Sequence, residues 1–346
     1  MKTFGTIIAA LALAAAPAAY PCSRVVFRGD STDIVIVGRT LDWRTPIPTN
    51  LYVYPAGMQK QSMPEGPCYK WTSIYGSVVA VGYDGGITEG MNERGLVMNG
   101  LFCKGSVYTE AIAGSDTPVM SLSMLVAYFL DNFATVDEVE QWLKMSNFAI
   151  NGKTFDGGTV SLLHWGLTDP SGRTLIMDYQ NGELKTYSSP EYQVLTNDPQ
   201  FSEMLAINKY WENVGGANML PGGVKSADRF VRASYFIHHV PTAGVGYRQA
   251  LTELSSIIDN VAVPSGYEIP GHPNLSSTQW RSIADLNQLR YYFKFADNDG
   301  MFYIDLDHLL LEPGAPVLKL DNSNHLDYYG CVNDRLKKSE PFTPMW

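Results

Sequence analysis

Short apolar runs separated by polar and glycine-containing turn signals recur through the first eighty residues after position 21. Short apolar runs at 24–27 and 33–37, split by Arg28-Gly29-Asp30, predict two strands joined by a turn. Runs at 51–54, 77–81 and 95–101 continue the pattern, and Asp84-Gly85-Gly86 follows the second of them. The period then changes. From Pro118, suited to a first helical turn, Met120, Leu122, Leu125, Tyr128 and Phe129 recur at helical spacing. Thr135 and Glu138 have capping-box spacing ahead of a second helix that runs to Lys144. Strands at 160–167, 173–179 and 183–187 are joined by Asp169-Pro170-Ser171-Gly172 and Asn181-Gly182, both turn formers. Helices are predicted over 201–211, 227–240 and 248–261. A last hairpin joins 289–295 to 301–306 across Asn298-Asp299-Gly300.

Antiparallel strand sets alternating with helix pairs predict an α+β fold, with sheets packed together and helices outside. No repeat or low-complexity linker interrupts 22–346, so that span reads as a single domain. Hydrophobic residues make up 45% and charged ones 17%, which excludes a disordered chain. The net charge of -10 with no basic cluster argues against nucleic-acid binding. No apolar run is long enough to predict a transmembrane helix.

Residues 1–21 have a single lysine, an apolar stretch over 7–16 and then small residues, the layout of a cleaved secretory signal peptide. Its small-residue pattern places ordinary cleavage near Ala18 or Ala19, so Tyr20-Pro21 would need further trimming before Cys22 became N-terminal. A cysteine so exposed carries its own base. Its α-amine titrates near pH ~8 and can take the proton of a thiol of pKa ~8.5, which is N-terminal nucleophile hydrolase chemistry. The alternative is a lipid anchor on Cys22. That needs a small residue just before the cysteine and a leucine-like one three before, where this chain has Pro21 and Ala19. The other cysteines, Cys68, Cys103 and Cys331, match no zinc spacing and permit one disulfide of unspecified pairing.

A cysteine nucleophile needs partners. Gly38-Arg39-Thr40-Leu41-Asp42-Trp43 offers a cation to stabilise the thiolate and a carboxylate to hold the α-ammonium. Taken alone, the hexapeptide reads more simply as a solvated Arg–Asp pair at a strand end. Asn197, in Leu195-Thr196-Asn197-Asp198-Pro199, is a side-chain amide able to donate to an oxyanion, or a turn residue or cap. Arg229 lies in the first turn of a predicted helix, where it opposes the helix dipole and calls for a specific partner. Asn92 sits in a glycine-bounded turn that serves equally as a plain hairpin. His164 offers a papain-like alternative base. Trp43, Trp71 and Trp280 are candidates for an acyl pocket, with core packing the default and Trp43 the best placed.

In order along 22–310, "CSRVVF", "GRTLDW", "EGMNERGL…GLF", "LLHWGLTDPSGRTLI", "VLTNDP" and "ADRFVRA" resemble the choloylglycine hydrolase family, which includes penicillin V acylases and conjugated bile acid hydrolases. The likeness is greatest to its secreted Gram-negative members, which carry "DW" after the arginine motif. The resemblance implies a four-layer αββα sandwich of two antiparallel sheets between helical layers. It makes Cys22 nucleophile and, through its amine, base. Arg39 and Asp42 would support it, Asn197 would form part of the oxyanion hole, and Arg229 would complete the site. The position after Gly100-Leu101, also of the oxyanion hole, is commonly asparagine in bile salt hydrolases and tyrosine in penicillin V acylases. Here it is Phe102, whose backbone N–H would serve and whose ring would join Trp43 in binding substrate. The implied activity is hydrolysis of linear amides in N-acyl compounds: conjugated bile acids, penicillin V or N-acyl homoserine lactones. No metal or cofactor is implied, the implied location is the periplasm, and family members are often homotetramers. The rival from another class is a ligand-binding lipoprotein anchored at Cys22.

Overall fold

Strand β1 (Cys22–Arg28) and strand β2 (Val35–Trp43) pair antiparallel, with Cys22 opposite Leu41 and Arg24 opposite Arg39. In this computed structural model the described residues are 22–30, 33–112, 114–152, 154–155, 159–266 and 276–346. The leader at 1–21 lies outside them. The predicted strand at 33–37 does not stop before the Arg–Asp hexapeptide but carries it, buried throughout, to the end of β2. Gly38 shows why the segment is interior. A Cβ there would lie 2.6 Å from Ile258 Cγ1, so helix α5 (Tyr247–Val261) presses directly on the strand.

The first sheet has the order Val194–Leu195, β1, β2, Ser277–Asp285, Arg290–Phe295, Phe302–Asp305, Gly330–Cys331. Its pairs are antiparallel except the last. Sequence patterning missed Ser277–Asp285, the strand beside β2. A bulge between Thr278 and Trp280 breaks its alternation, and buried hydroxyls, Thr278 toward the helical layer and Ser282 toward the second sheet, take positions usually apolar.

The second sheet is antiparallel among the described residues. Its order is Glu183–Ser188, Thr174–Gln180, Leu163–Thr168, Val97–Phe102, Gly86–Asn92, Ser77–Gly82, strand β3 (Thr49–Tyr54), Leu318–Leu320, Lys337–Lys338. The helix expected from Pro118 begins later, as α1 (Leu122–Asn132), because Val119–Ser121 pair with Ala149–Asn151 in a short parallel ribbon. The next helix, α2 (Val136–Met145), has the expected capping box of Thr135 and Glu138.

The sheets pack face to face over a core that includes Val37, Leu41, Val78, Met91, Trp280 and Phe293. Helices α3 (Phe201–Val214), α4 (Ser226–Ile237) and α5 cover the outer face of the first sheet, while α1 and α2 cover the second. That is the expected αββα order of layers. No helix among the described residues is long and apolar enough to cross a membrane. All four cysteines are free thiols, so the permitted disulfide is not formed.

Candidate active site

Period-two alternation along β2 splits the hexapeptide between two environments. Arg39, Leu41 and Trp43 face the second sheet, and Thr40 and Asp42 face the helical layer. Arg39 and Asp42 are therefore not the solvated pair that their spacing suggests. Both are buried, and each has its own partners.

Arg39 donates through Nη1 to Glu89 Oε2 at 2.6 Å and through Nη2 to the Gly100 carbonyl at 2.8 Å, and it lies 4.9 Å from the Trp280 ring centroid. Nη2 is also 3.9 Å from Cys22 Sγ. Burial pulls the Arg39 guanidinium pKa down, but the Glu89 charge and bond outweigh it and hold the value above its ordinary range. Glu89 is the hub of this side. It also accepts from Asn99 Nδ2 at 3.1 Å, from Ser282 Oγ and from the Tyr291 hydroxyl. Asn99 in turn takes a 2.8 Å bond from Arg24 Nε, whose guanidinium burial lowers to about 9.

On the helical side, Asp42 accepts from Thr278 Oγ1 at 2.5 Å and from Thr40 Oγ1 at 3.1 Å. Burial pushes its carboxyl up to about 6, against the opposing charge of Arg229. The expected bond from the Cys22 nitrogen to Asp42 is replaced. That nitrogen, a peptide N in the full chain and the α-amine if residues 1–21 are removed, donates to Asn197 Oδ1. The thiol faces the Asp42 carbonyl at 3.9 Å.

Asn197 Nδ2 donates to the Phe102 carbonyl at 2.7 Å, tying the candidate oxyanion residues together. Arg229 supplies the partner that its place in a first helical turn demanded: Nη1 bonds the Cys22 carbonyl at 2.6 Å and Ser23 Oγ at 2.5 Å, and Nη2 reaches Asn197 Oδ1 at 2.9 Å. Burial lowers its guanidinium to about 10, with Asp42 and Cys22 opposing the fall.

Cys22 is 3% exposed and lines a cavity of about 130 Å³ whose walls include Leu41, Trp43, Ile87, Phe102 and Leu163. The Trp43 and Phe102 rings meet at 5.5 Å and 58°. The other candidate tryptophans serve elsewhere. Trp71 donates to Asp131 in the outer core at 2.6 Å, and Trp280 lies beneath Arg39 with a 3.1 Å bond to Thr49. Asn92 is structural, with Nδ2 on the carbonyls of Leu130 and Phe133 and Oδ1 capping the turn.

His164 does not face Cys22. Its Nε2 donates to the Thr196 carbonyl at 2.6 Å, and its Nδ1 lies 3.6 Å from Asp178 Oδ1. Among the described residues it forms, with Cys103 and Asp178, the one trio of metal-ligand side chains, their ligand atoms within 4.8 Å of one another. Burial opposes protonation of His164, but Cys103 and Asp178 outweigh it and hold the imidazole pKa well above its usual value. The ring thereby holds the Thr196 carbonyl, one residue before Asn197.

Glu89, Asn99, Thr40 and Thr278 were missed in the sequence. A signal existed for Glu89: it is a carboxylate two residues from Met91 in an apolar strand, in phase with the buried face.

Cys22 and Arg39 line the apolar cavity, and Asn197 and Arg229 hold Cys22 from behind, between the two sheets and the helical layer of an αββα sandwich. Residues 22–326 match the family model "Linear amide C-N hydrolases, choloylglycine hydrolase family", and the chain belongs to that family. It is 35% identical to the penicillin V acylase of Pectobacterium atrosepticum over 93% of this chain and 91% of that one. A bile salt hydrolase/transferase of Clostridium perfringens is 26% identical over 63% of this chain and 72% of the other. The solved penicillin V acylase of Agrobacterium tumefaciens superposes with a TM-score of 0.85 at 38% identity, covering 94% of this chain and 99% of that one. The fold is that of the N-terminal nucleophile hydrolases.

Proposed function

We propose that this protein is a periplasmic N-acyl amidase of penicillin V acylase type, active once residues 1–21 are removed and Cys22 is N-terminal. The observation that carries the reading is the placement of Cys22: thiol at the cavity, nitrogen on Asn197, guanidiniums on both sides. The α-amine takes the thiol proton and Sγ bonds to the amide carbon. The oxyanion is stabilised by Asn197 Nδ2 and the Phe102 N–H. The carbon–nitrogen bond then breaks as the ammonium returns its proton to the leaving amine. Water, deprotonated by the same amine, attacks the thioester and releases the acid and the thiol.

Two features favour penicillin V over bile acids. The penicillin V acylase relatives are more similar and aligned over more of the chain. The cavity of about 130 Å³ is also small beside the roughly 300–1,000 Å³ of drug-sized sites, which suits a flat phenoxyacetyl group better than a steroid. A buried, hydrogen-bonded Cys22 also fits a nucleophile better than a lipid anchor.

The test is turnover of penicillin V, a glycine-conjugated bile acid and an N-acyl homoserine lactone by secreted protein, with mass spectrometry of its N-terminus. Expected are a Cys22 terminus and the highest kcat/KM on penicillin V. A preference for either other substrate overturns the substrate assignment. A lipidated Cys22 or a retained Tyr20 in active protein overturns the nucleophile.

A further inference from the structure

One wall of the acyl cavity comes from a segment far from the catalytic motifs. Met345 lines the same cavity as Cys22, opposite no secondary-structure partner of its own, since 339–346 is irregular backbone. The residue is 37% exposed and its side chain stands at the rim of the cavity, while its backbone is held in place. Its N–H donates to the Gly85 carbonyl at 2.8 Å, and its carbonyl accepts from Ser123 Oγ at 2.5 Å. A Cβ on Gly85 would lie 2.6 Å from Met345 Cγ, so the glycine lets that side chain lie against the hairpin turn in this rotamer. Three residues earlier, Phe342 is buried edge-on against Tyr52 and Tyr54, and its N–H donates to the Tyr54 hydroxyl at 3.2 Å. Trp346 packs on the same core.

The two sides of the cavity therefore differ in kind. Trp43, Phe102 and Leu163 belong to strands held by the ladders of both sheets. Met345 is an unbranched thioether on a strap fixed at its backbone, able to change rotamer without breaking either hydrogen bond. We propose that Met345 is the acyl-length gauge of this enzyme: its side chain closes the cavity to long apolar acyl groups and sets the preference for compact ones. This rests on the amidase reading above. In an apolar pocket one methylene changes kcat/KM by roughly 10–200-fold, so a whole side chain at the wall should be plainly visible.

The experiment compares wild type, Met345→Ala and Met345→Phe on 6-aminopenicillanic acid amides carrying phenoxyacetyl, hexanoyl or decanoyl groups, with the amine constant. Met345→Ala is expected to raise the decanoyl-to-phenoxyacetyl ratio of kcat/KM at least tenfold, mainly through a lower KM for decanoyl. Met345→Phe is expected to lower the ratio. Melting temperatures report whether each variant is folded. Ratios within threefold of wild type in both folded variants overturn the gauge and leave the amidase reading standing. A wild type that cleaves none of the three overturns the amidase reading and the gauge with it.

Discussion

Asn197 and Arg229 meet at a single atom: Asn197 Oδ1 accepts from both the Arg229 guanidinium and the Cys22 nitrogen. Since an amide oxygen must point at these donors, Nδ2 is forced the other way, onto the Phe102 carbonyl. The arginine thus fixes the orientation of the amide.

Asn197→Ala removes both that donor and the acceptor for the Cys22 nitrogen. Loss of one oxyanion donor costs about 10²–10³ in kcat. A fall of that size is expected, with KM changed little, in steady-state kinetics on penicillin V. A loss below tenfold would take Asn197 out of the reaction.

Asp42→Asn probes the carboxylate raised to about 6 by burial. Its charge reaches Cys22 only through Arg229, which bonds the Cys22 carbonyl, so wild-type kcat/KM should show an acid limb near pH 6 and the variant should lack it while turning over more slowly. The stability effect has the opposite sign. A carboxyl raised in the folded state stabilises fully only below its ordinary unfolded value, and that contribution is lost as pH rises through 6. The melting temperature of the variant relative to wild type should therefore be more favourable at pH 8 than at pH 4.5. An unchanged acid limb in the variant would assign the limb to another group.

Arg39→Ala strands Glu89 as a buried, unpaired carboxylate. Breaking such a pair typically costs about 3–5 kcal/mol, measurable by urea unfolding. Adding Glu89→Gln should recover much of the stability but not the turnover, because the guanidinium near Cys22 Sγ is still missing. Recovery of both would make Arg39 purely structural.

Cys22→Ala should abolish turnover with the fold intact, as read by circular dichroism and gel filtration. His164→Gln should cost far less kcat, since His164 acts on Thr196 and not on the thiol. Equal losses in two folded variants would revive the cysteine–histidine alternative.

The layers and most helices were legible because their patterns have a clear period: the Thr135 capping box and the Asn181-Gly182 turn stand where expected. The residues of the site were legible as types, but their partners were not. Arg39 and Asp42 are three positions apart in sequence, and only the strand conformation of β2 sends them to opposite sides. Glu89, fifty positions from Arg39, meets it across the gap between the sheets. Strand Ser277–Asp285 escaped notice because its buried Thr278 and Ser282 serve the site from opposite faces in place of the core, with a bulge between Thr278 and Trp280 breaking the alternation.

The alternation along β2 makes pairing register itself a catalytic parameter. A slip of one residue between β1 and β2 would turn Arg39 toward the helices and Asp42 toward Glu89, exchanging the surroundings of the thiol while leaving every amino acid in place. A chain with all its reactive groups can still be inert if it folds one residue out of step.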